Sequence, residues 1–309
     1  MKYVFKYMDI KISLSSENYS IIYYCINYFK NYFYCSVGDS KDVMISIDIL
    51  ECFSCGNNYV LETEEPFKIY VHRSDKKIII TNVEEKNYRE FMRLIRELFV
   101  YCITLTKRCC FFHAACVTNG EFAVAIIGDK FAGKTTMCLN FLNLGWNFIS
   151  NDKLVLVKND NNIFCWGLPI ALGIREGTKQ LFTEKLNDLV IDQEDSRYYL
   201  TPNQLIDRFN IEVSNGQKLK MMLIPSFCPE ARKISVTKMA EEEAINYLKN
   251  QRLESIYSDR KKINRLAAYS NDDSLNSLIK IPVYKVVINC ENNNQLNDII
   301  EDILKKEGK

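Results

Sequence analysis

Apolar and polar positions along the chain divide it into strand-like runs and a few stretches of helical period. At the amino end, Val4 to Leu14 predicts one strand, and the Tyr-rich stretch Asn18 to Phe33 predicts a helix. Short strand-like runs follow at Val43–Leu50, Phe67–Val71 and Lys77–Thr81. Turn-rich or charged pieces, Ser54-Cys-Gly-Asn-Asn58 and His72-Arg-Ser-Asp-Lys76, separate them. Phe91, Leu94, Ile95, Leu98, Cys102 and Leu105 then recur at helical spacing, predicting an amphipathic helix from Glu85 to Thr106 that packs the first segment on the second. No residue before Thr106 belongs to a constellation with obvious chemistry.

From Cys109 the pattern becomes strand-rich around one helix. Phe111–Val117 and Phe122–Ile127 read as two strands, and Asn119-Gly120 between them is a strong hairpin signal. Thr135 to Leu142 has helical spacing; Gly145 ends it, Trp146–Ser150 reads as a strand, and Asn151-Asp152 precedes a further strand at Leu154–Val157. Later strands are expected at Ile163–Gly167, Leu219–Ile224, Lys233–Thr237 and Ile281–Asn289, and helices at Ala240–Lys249 and Gln295–Lys306. The fold class expected is α/β of the mixed α+β kind, with an N-terminal segment, 1–106, and a second domain, 107–309. The first would bind an acceptor or act as a scaffold.

Composition narrows the partners. Of 309 residues, 47% are hydrophobic and 26% charged, ordinary for a soluble globular chain with a substantial core. A net charge of +1 provides no long-range field for nucleic acid or an anionic membrane. No apolar stretch approaches the roughly 20 residues that span a bilayer. The start, Met1-Lys-Tyr-Val-Phe-Lys-Tyr-Met-Asp, lacks a signal-peptide core, so a cytoplasmic location is expected. The twelve cysteines are scattered, several of them within apolar runs (Cys116, Cys138, Cys290), and read as small buried hydrophobes. Cys52-Phe-Ser-Cys55 has no second pair to complete a zinc site, and the adjacent Cys109 and Cys110 would point to opposite faces of a strand.

The chemistry concentrates in Gly128-Asp129-Lys130-Phe131-Ala132-Gly133-Lys134-Thr135, a complete Walker A loop between a buried strand and a helix. Glycines let backbone N–H groups close around phosphate oxygens, and the helix start adds the positive end of its dipole. Lys134 would neutralise the β- and γ-phosphates, the Thr135 hydroxyl would take a place on Mg²⁺, and Thr136 would complete the cradle. The expected cofactors are therefore ATP and Mg²⁺.

Phe112-His113-Ala-Ala-Cys-Val117, the loop Gly128–Thr135, and Gly145-Trp-Asn-Phe-Ile-Ser-Asn151-Asp152 together resemble the nucleotide site of the HPr kinase/phosphorylase family. They look closest to the shorter HPr kinase-like proteins, some of which accompany ribosomally made peptide natural products. In that family a histidine opens the strand pair before the P-loop, and an Asp-Asp pair follows the strand after its helix. The end of the chain, Ile281-Pro-Val-Tyr-Lys-Val286 and an acidic helix, is also similar; the specific part is Phe112 to Asp152. The resemblance implies a P-loop kinase core related to HPr kinase and phosphoenolpyruvate carboxykinase, with ATP·Mg²⁺ as phosphoryl donor and a serine hydroxyl as acceptor. It implies Lys134, His113 and Asp152 as catalytic residues, and Thr135, Asn151 and Asp152 around the metal. Asn151 departs from the family, which has a first Asp there; an amide can ligate Mg²⁺ but cannot take a proton at pH 7.

Three functions follow. The first is a kinase for Ser or Thr of a peptide or small protein, the second a small-molecule kinase on the same site, the third a nucleotide-dependent regulatory module without transfer. Asn151 favours the third, and the intact loop with Asp152 favours the first two. A homo-oligomer is left open. Arg175, after the short run Leu172-Gly-Ile174, can clamp a phosphate as a planar fork, with a plain surface arginine as its alternative. The cluster Arg260-Lys-Lys-Ile-Asn-Arg265 reads as a solvated helix face or a dock for an acidic peptide.

Overall fold

The apolar run at the amino end folds as a hairpin, not as the single strand expected over Val4–Leu14. Strands β1 (Lys2–Tyr7) and β2 (Ile10–Ser16) pair antiparallel, and the turn between them passes through Met8 at φ 57°. Apolar residues flank that turn on both sides, so periodicity alone does not reveal it. The computed structural model describes residues 2–38, 40, 42–193, 195–228, 234–254, 266, 277–289 and 295–307. Two units emerge, Met1–Lys107 with Glu254–Ser270, and Arg108–Leu253 with Asn271–Lys309. The Arg260–Arg265 cluster lies outside the described residues, as do Lys233 and Cys290.

The first unit carries a seven-stranded mixed sheet. Helix α1 (Tyr19–Phe29) follows β2, and then come β3 (Tyr34–Val37), β4 (Ile45–Leu50), β5 (Tyr59–Thr63), β6 (Lys68–His72), β7 (Lys77–Thr81) and helix α2 (Tyr88–Thr106). The strand order is β3-β1-β2-β4-β7-β6-β5, with β2–β4 and β4–β7 parallel. Asn18 does not join α1 but caps it, its side chain accepting from the Ser20 N–H at 3.0 Å. The expected start of α2 at Glu85 is a single 3₁₀ turn, Glu85–Asn87. Phe91, Leu94, Ile95, Leu98 and Cys102 are buried, and α2 packs against α1 and β2 of its own unit. The Cys52 and Cys55 thiols are exposed, and among the described residues no cluster of His, Cys, Asp or Glu forms a metal site.

The second unit is built on a ten-stranded sheet. Its elements are β8 (Arg108–Phe112), β9 (Ala114–Thr118), β10 (Ala123–Ile127), α3 (Lys134–Asn143), β11 (Asn147–Ser150), β12 (Leu154–Asn159) and β13 (Asn162–Gly167). A small three-stranded sheet and its helices follow: β14 (Leu172–Ile174), α4 (Glu176–Leu181), α5 (Thr183–Leu186), β15 (Ile191–Asp192), β16 (Arg197–Leu200) and α6 (Pro202–Phe209). The chain then returns through β17 (Gln217–Phe227), β18 (Ser235–Lys238), α7 (Glu241–Gln251), β19 (Arg252–Leu253), β20 (Val283–Ile288) and α8 (Leu296–Glu307). The main path is β11-β9-β10-β17-β13-β12-β8-β19, with β20 on β17 and β18 on β20. The fold is thus mixed α/β, with several mixed sheets.

Two local facts position the site. The strand expected over Phe111–Val117 is broken at His113: β8 pairs with β12, whereas β9 pairs with β10 and β11. One chain segment changes partners there, and the break leaves His113 exposed between buried Phe112 and Ala114. The second fact is a close approach at Gly167, where a Cβ would fall 1.6 Å from the Ile149 carbonyl oxygen. Only glycine lets β13 pass so near the end of β11. Cys116, Cys138 and Cys165 are fully buried in the same region, and loss of water pushes the Cys116 and Cys138 thiols well above their ordinary range. Among the described residues no helix is long and apolar enough to cross a membrane.

Candidate functional site

β10 is fully buried, pairing parallel with β17 on one side and antiparallel with β9 on the other, and it delivers the chain into the loop Gly128–Gly133. Gly128 sits where an added Cβ would come 3.1 Å from the Ala132 Cβ. Phe131 and Gly133 both lie in the left-handed region, at φ 74° and 92°, so the loop folds back before α3 begins. The Met137 N–H donates to the Gly133 carbonyl at 2.9 Å and starts the helix.

Lys134 curls back under this loop. Its Nζ donates to the carbonyls of Gly128 at 2.7 Å and Asp129 at 3.0 Å, and the residue is 8% exposed. Burial pulls the ammonium pKa down, while the charges of Asp152 and Asp129 oppose that shift. Thr135 Oγ1 donates to Asn151 Oδ1 at 3.5 Å, and Thr136 Oγ1 shares a 2.8 Å hydrogen bond with Thr178 Oγ1 of α4. Asn151 is buried and touches the loop helix from behind; neither it nor Ala132 lines the pocket.

Asp152 occupies the step between β11 and β12 at φ 69°, a conformation that Asp and Asn tolerate better than most residues. Its Oδ1 lies 3.3 Å from His113 Nε2. Loss of water is the main cause holding the His113 pKa below its ordinary value; Asp152 raises it, and Lys134, Lys153 and Arg197 lower it further. The strand break at His113 and the step at Asp152 thus place an imidazole and a carboxylate together, although they lie 39 positions apart in the sequence.

These groups line one pocket of about 550 Å³. One wall is the loop, from Gly128 through Thr136; Gly173, Arg175, Thr178 and Arg197 also line the pocket, contributed by the small sheet and α4. Phe131 is 70% exposed, with the Arg175 guanidinium 4.4 Å from its ring centroid and Lys130 Nζ at 5.2 Å. Asp129 is fixed by Gln251 Nε2, which donates to Oδ1 at 2.6 Å. Sequence reading did not identify Arg197, Thr178, Gln251 or Arg252 as pocket residues. The one available signal was Gly173, a glycine inside a short strand beside Arg175.

The donor set fits a nucleoside triphosphate and a hard cation. Flexible loop glycines and Lys134 suit phosphate oxygens, and Thr135 Oγ1 with the Asp152 carboxylate suits Mg²⁺. Among the described residues no group of three or more His, Cys, Asp or Glu gathers here, so a cation at this place would need ligands beyond Thr135 and Asp152.

No family profile and no curated protein matches the chain. Among solved structures, the HPr(Ser) kinase/phosphatase from Coxiella burnetii is similar over 64% of this chain and 95% of that one, at 11% identity and a TM-score of 0.30.

Proposed function

We propose that the chain is an ATP-dependent phosphotransferase that moves the γ-phosphate to a Ser or Thr hydroxyl of a peptide or small protein. The observation that carries this reading is the convergence of the loop Gly128–Thr135 and the His113–Asp152 pair on one pocket. Phosphoryl transfer requires mainly positioning and charge neutralisation, and these residue types supply both.

In this reading the loop amides and Lys134 hold the β- and γ-phosphates. Thr135 and Asp152 would hold Mg²⁺, with Asn151 fixing the Thr135 hydroxyl. Bound there, the ion would supply positive charge against the charge that develops in phosphoryl transfer. Asp152 also orients the acceptor hydroxyl and takes its proton. The hydroxyl oxygen bonds to the γ-phosphorus as the bond to the β,γ-bridging oxygen breaks, and ADP leaves with the electron pair. His113, 3.3 Å away, lies beside the Asp152 carboxylate and steadies it.

The test is incubation of the full chain with γ-labelled MgATP and serine- or threonine-containing peptides, read by intact mass, beside calorimetry of MgATP on the wild type and Lys134→Ala. Wild type should bind MgATP and add one phosphate to a peptide. Lys134→Ala removes a charged hydrogen-bond donor, so MgATP affinity should fall about 10–100-fold. Unchanged affinity in a folded Lys134→Ala protein defeats the nucleotide reading. Binding without transfer to any peptide defeats the peptide-kinase reading and leaves the small-molecule kinase and the regulatory ones.

A further inference from the structure

The pocket carries more positive charge than the loop chemistry uses. Lys130, Lys134, Arg175, Arg197 and Arg252 line it, against the carboxylates of Asp129 and Asp152. Lys134 and Lys130 belong to the loop and suffice for the phosphates of a nucleotide. Arg197 comes from a different element, the first residue of β16, and enters the pocket from the small three-stranded sheet.

The local structure makes room for that guanidinium. β14 and β16 pair with Gly173 opposite Tyr199, and a Cβ on Gly173 would meet Arg197 Cδ and Nη1 at 3.4 Å. The arginine therefore lies across a residue with no side chain, close enough that a Cβ there would touch it. Asp195 Oδ2 approaches Arg197 Nε at 3.8 Å, a loose pair, and also accepts from the Tyr199 hydroxyl. The Arg197 side chain stays one-third exposed. Arg197 lines the same pocket as Asp152, toward which an acceptor hydroxyl would have to approach.

A planar guanidinium matches a carboxylate through two parallel N–H···O bonds, and an arginine held only loosely by Asp195, in a pocket already rich in cations, is poorly placed for any cationic or apolar group. We propose that Arg197, laid across Gly173, binds a carboxylate of the acceptor beside the hydroxyl that is phosphorylated. The preferred acceptor is then a serine or threonine peptide with an acidic neighbour. This inference rests on the phosphotransferase reading above and narrows its substrate class.

The probe is a pooled library of serine-centred heptapeptides, randomised at the flanking positions and incubated with MgATP and the full-length protein. Phosphopeptides are read by mass spectrometry, and MgATP affinity is measured in parallel by calorimetry. Wild type should enrich Asp or Glu within two positions of the phosphoserine. Arg197→Gln should raise KM for acidic peptides at least ten-fold, erase their enrichment and keep MgATP affinity within a few-fold. Arg197→Glu should shift the preference toward Lys and Arg. Transfer without acidic enrichment, or enrichment that survives Arg197→Gln, overturns the acceptor site while the kinase reading stands. An even fall in kcat on every peptide would put Arg197 on the phosphoryl group and also overturn it. MgATP binding with no phosphopeptide at all sinks both readings together.

Discussion

The two sides of the pocket are made of different material. The loop side is one contiguous stretch whose work falls to backbone N–H groups and a lysine buried under them. The other side is assembled from side chains on separate elements: His113 at a strand break, Asp152 at a left-handed step, Arg175 at the start of α4, and Arg197 on a small sheet. A backbone cradle recognises a phosphate because of its geometry, and most side chains in it are replaceable. A side-chain wall recognises whatever its charges and forks match, so it sets chemistry and selectivity. In the proposed phosphotransferase, the donor site would stay fixed while the second wall alone changed the acceptor.

The largest effect should come from the side-chain wall. Asp152→Asn retains a residue that tolerates φ 69° but loses the proton acceptor, so turnover should fall about 10²–10⁴-fold while MgATP still binds. Asn151→Asp should leave activity equal or higher. Steady-state rates with calorimetry check both, and a fully active Asp152→Asn would remove the carboxylate from the mechanism.

Next is the support behind that wall. Gly167→Ala places a methyl where the Ile149 carbonyl lies, which forces β11 and β13 apart just before Asn151 and Asp152. Destabilisation of about 3 kcal/mol or more is expected, at or above the upper end for overpacking. A melting scan that shows no loss would mean the strands part freely and the wall is softer than described.

Thr135→Ala probes the loop side more gently. Its hydroxyl faces Asn151 and the expected cation, so nucleotide affinity with Mg²⁺ should fall about ten-fold while affinity without Mg²⁺ changes little. Equal losses in both titrations would make the hydroxyl a structural group only.

The smallest effect lies at the outer scaffold of the second wall. Asp188 accepts two bonds from Arg208, at 2.6 and 2.8 Å, and that partner is the main cause lowering its pKa to about 2 from an ordinary 3.8. A depressed carboxylate stabilises the fold above pH 3.8 and ceases to as pH falls toward 2. NMR titration should show the Asp188 midpoint near 2, returning toward 3.8 in Arg208→Gln.

Contiguity also governs what could be read from the sequence. Gly128 to Thr136 and the strand and helix around it are written in order, and the long helix α2 announces itself through Phe91, Leu94, Ile95 and Leu98. The turn at Met8 and the strand break at His113 are hidden, because apolar residues continue straight through both. The short strands β3 and β5 escaped because their residues are largely exposed or half-buried and carry no alternation. The helix α6 did carry a signal, the capping box Thr201-Pro-Asn-Gln204, which periodicity over eight residues is too short to confirm. Arg197 had no local mark at all; only the course of its side chain past Gly173, 24 positions earlier, gives it meaning.

The thiols beneath the loop helix supply a built-in clock. Cys116, Cys138 and Cys165 sit on β9, α3 and β13, sealed from water, whereas Cys52 and Cys55 in the other unit are open to it. An alkylating reagent should therefore label the open pair at once and the sealed three only as the second unit breathes. The lag between the two populations, counted by mass, times that breathing without any introduced label, and a nucleotide held by α3 should lengthen it.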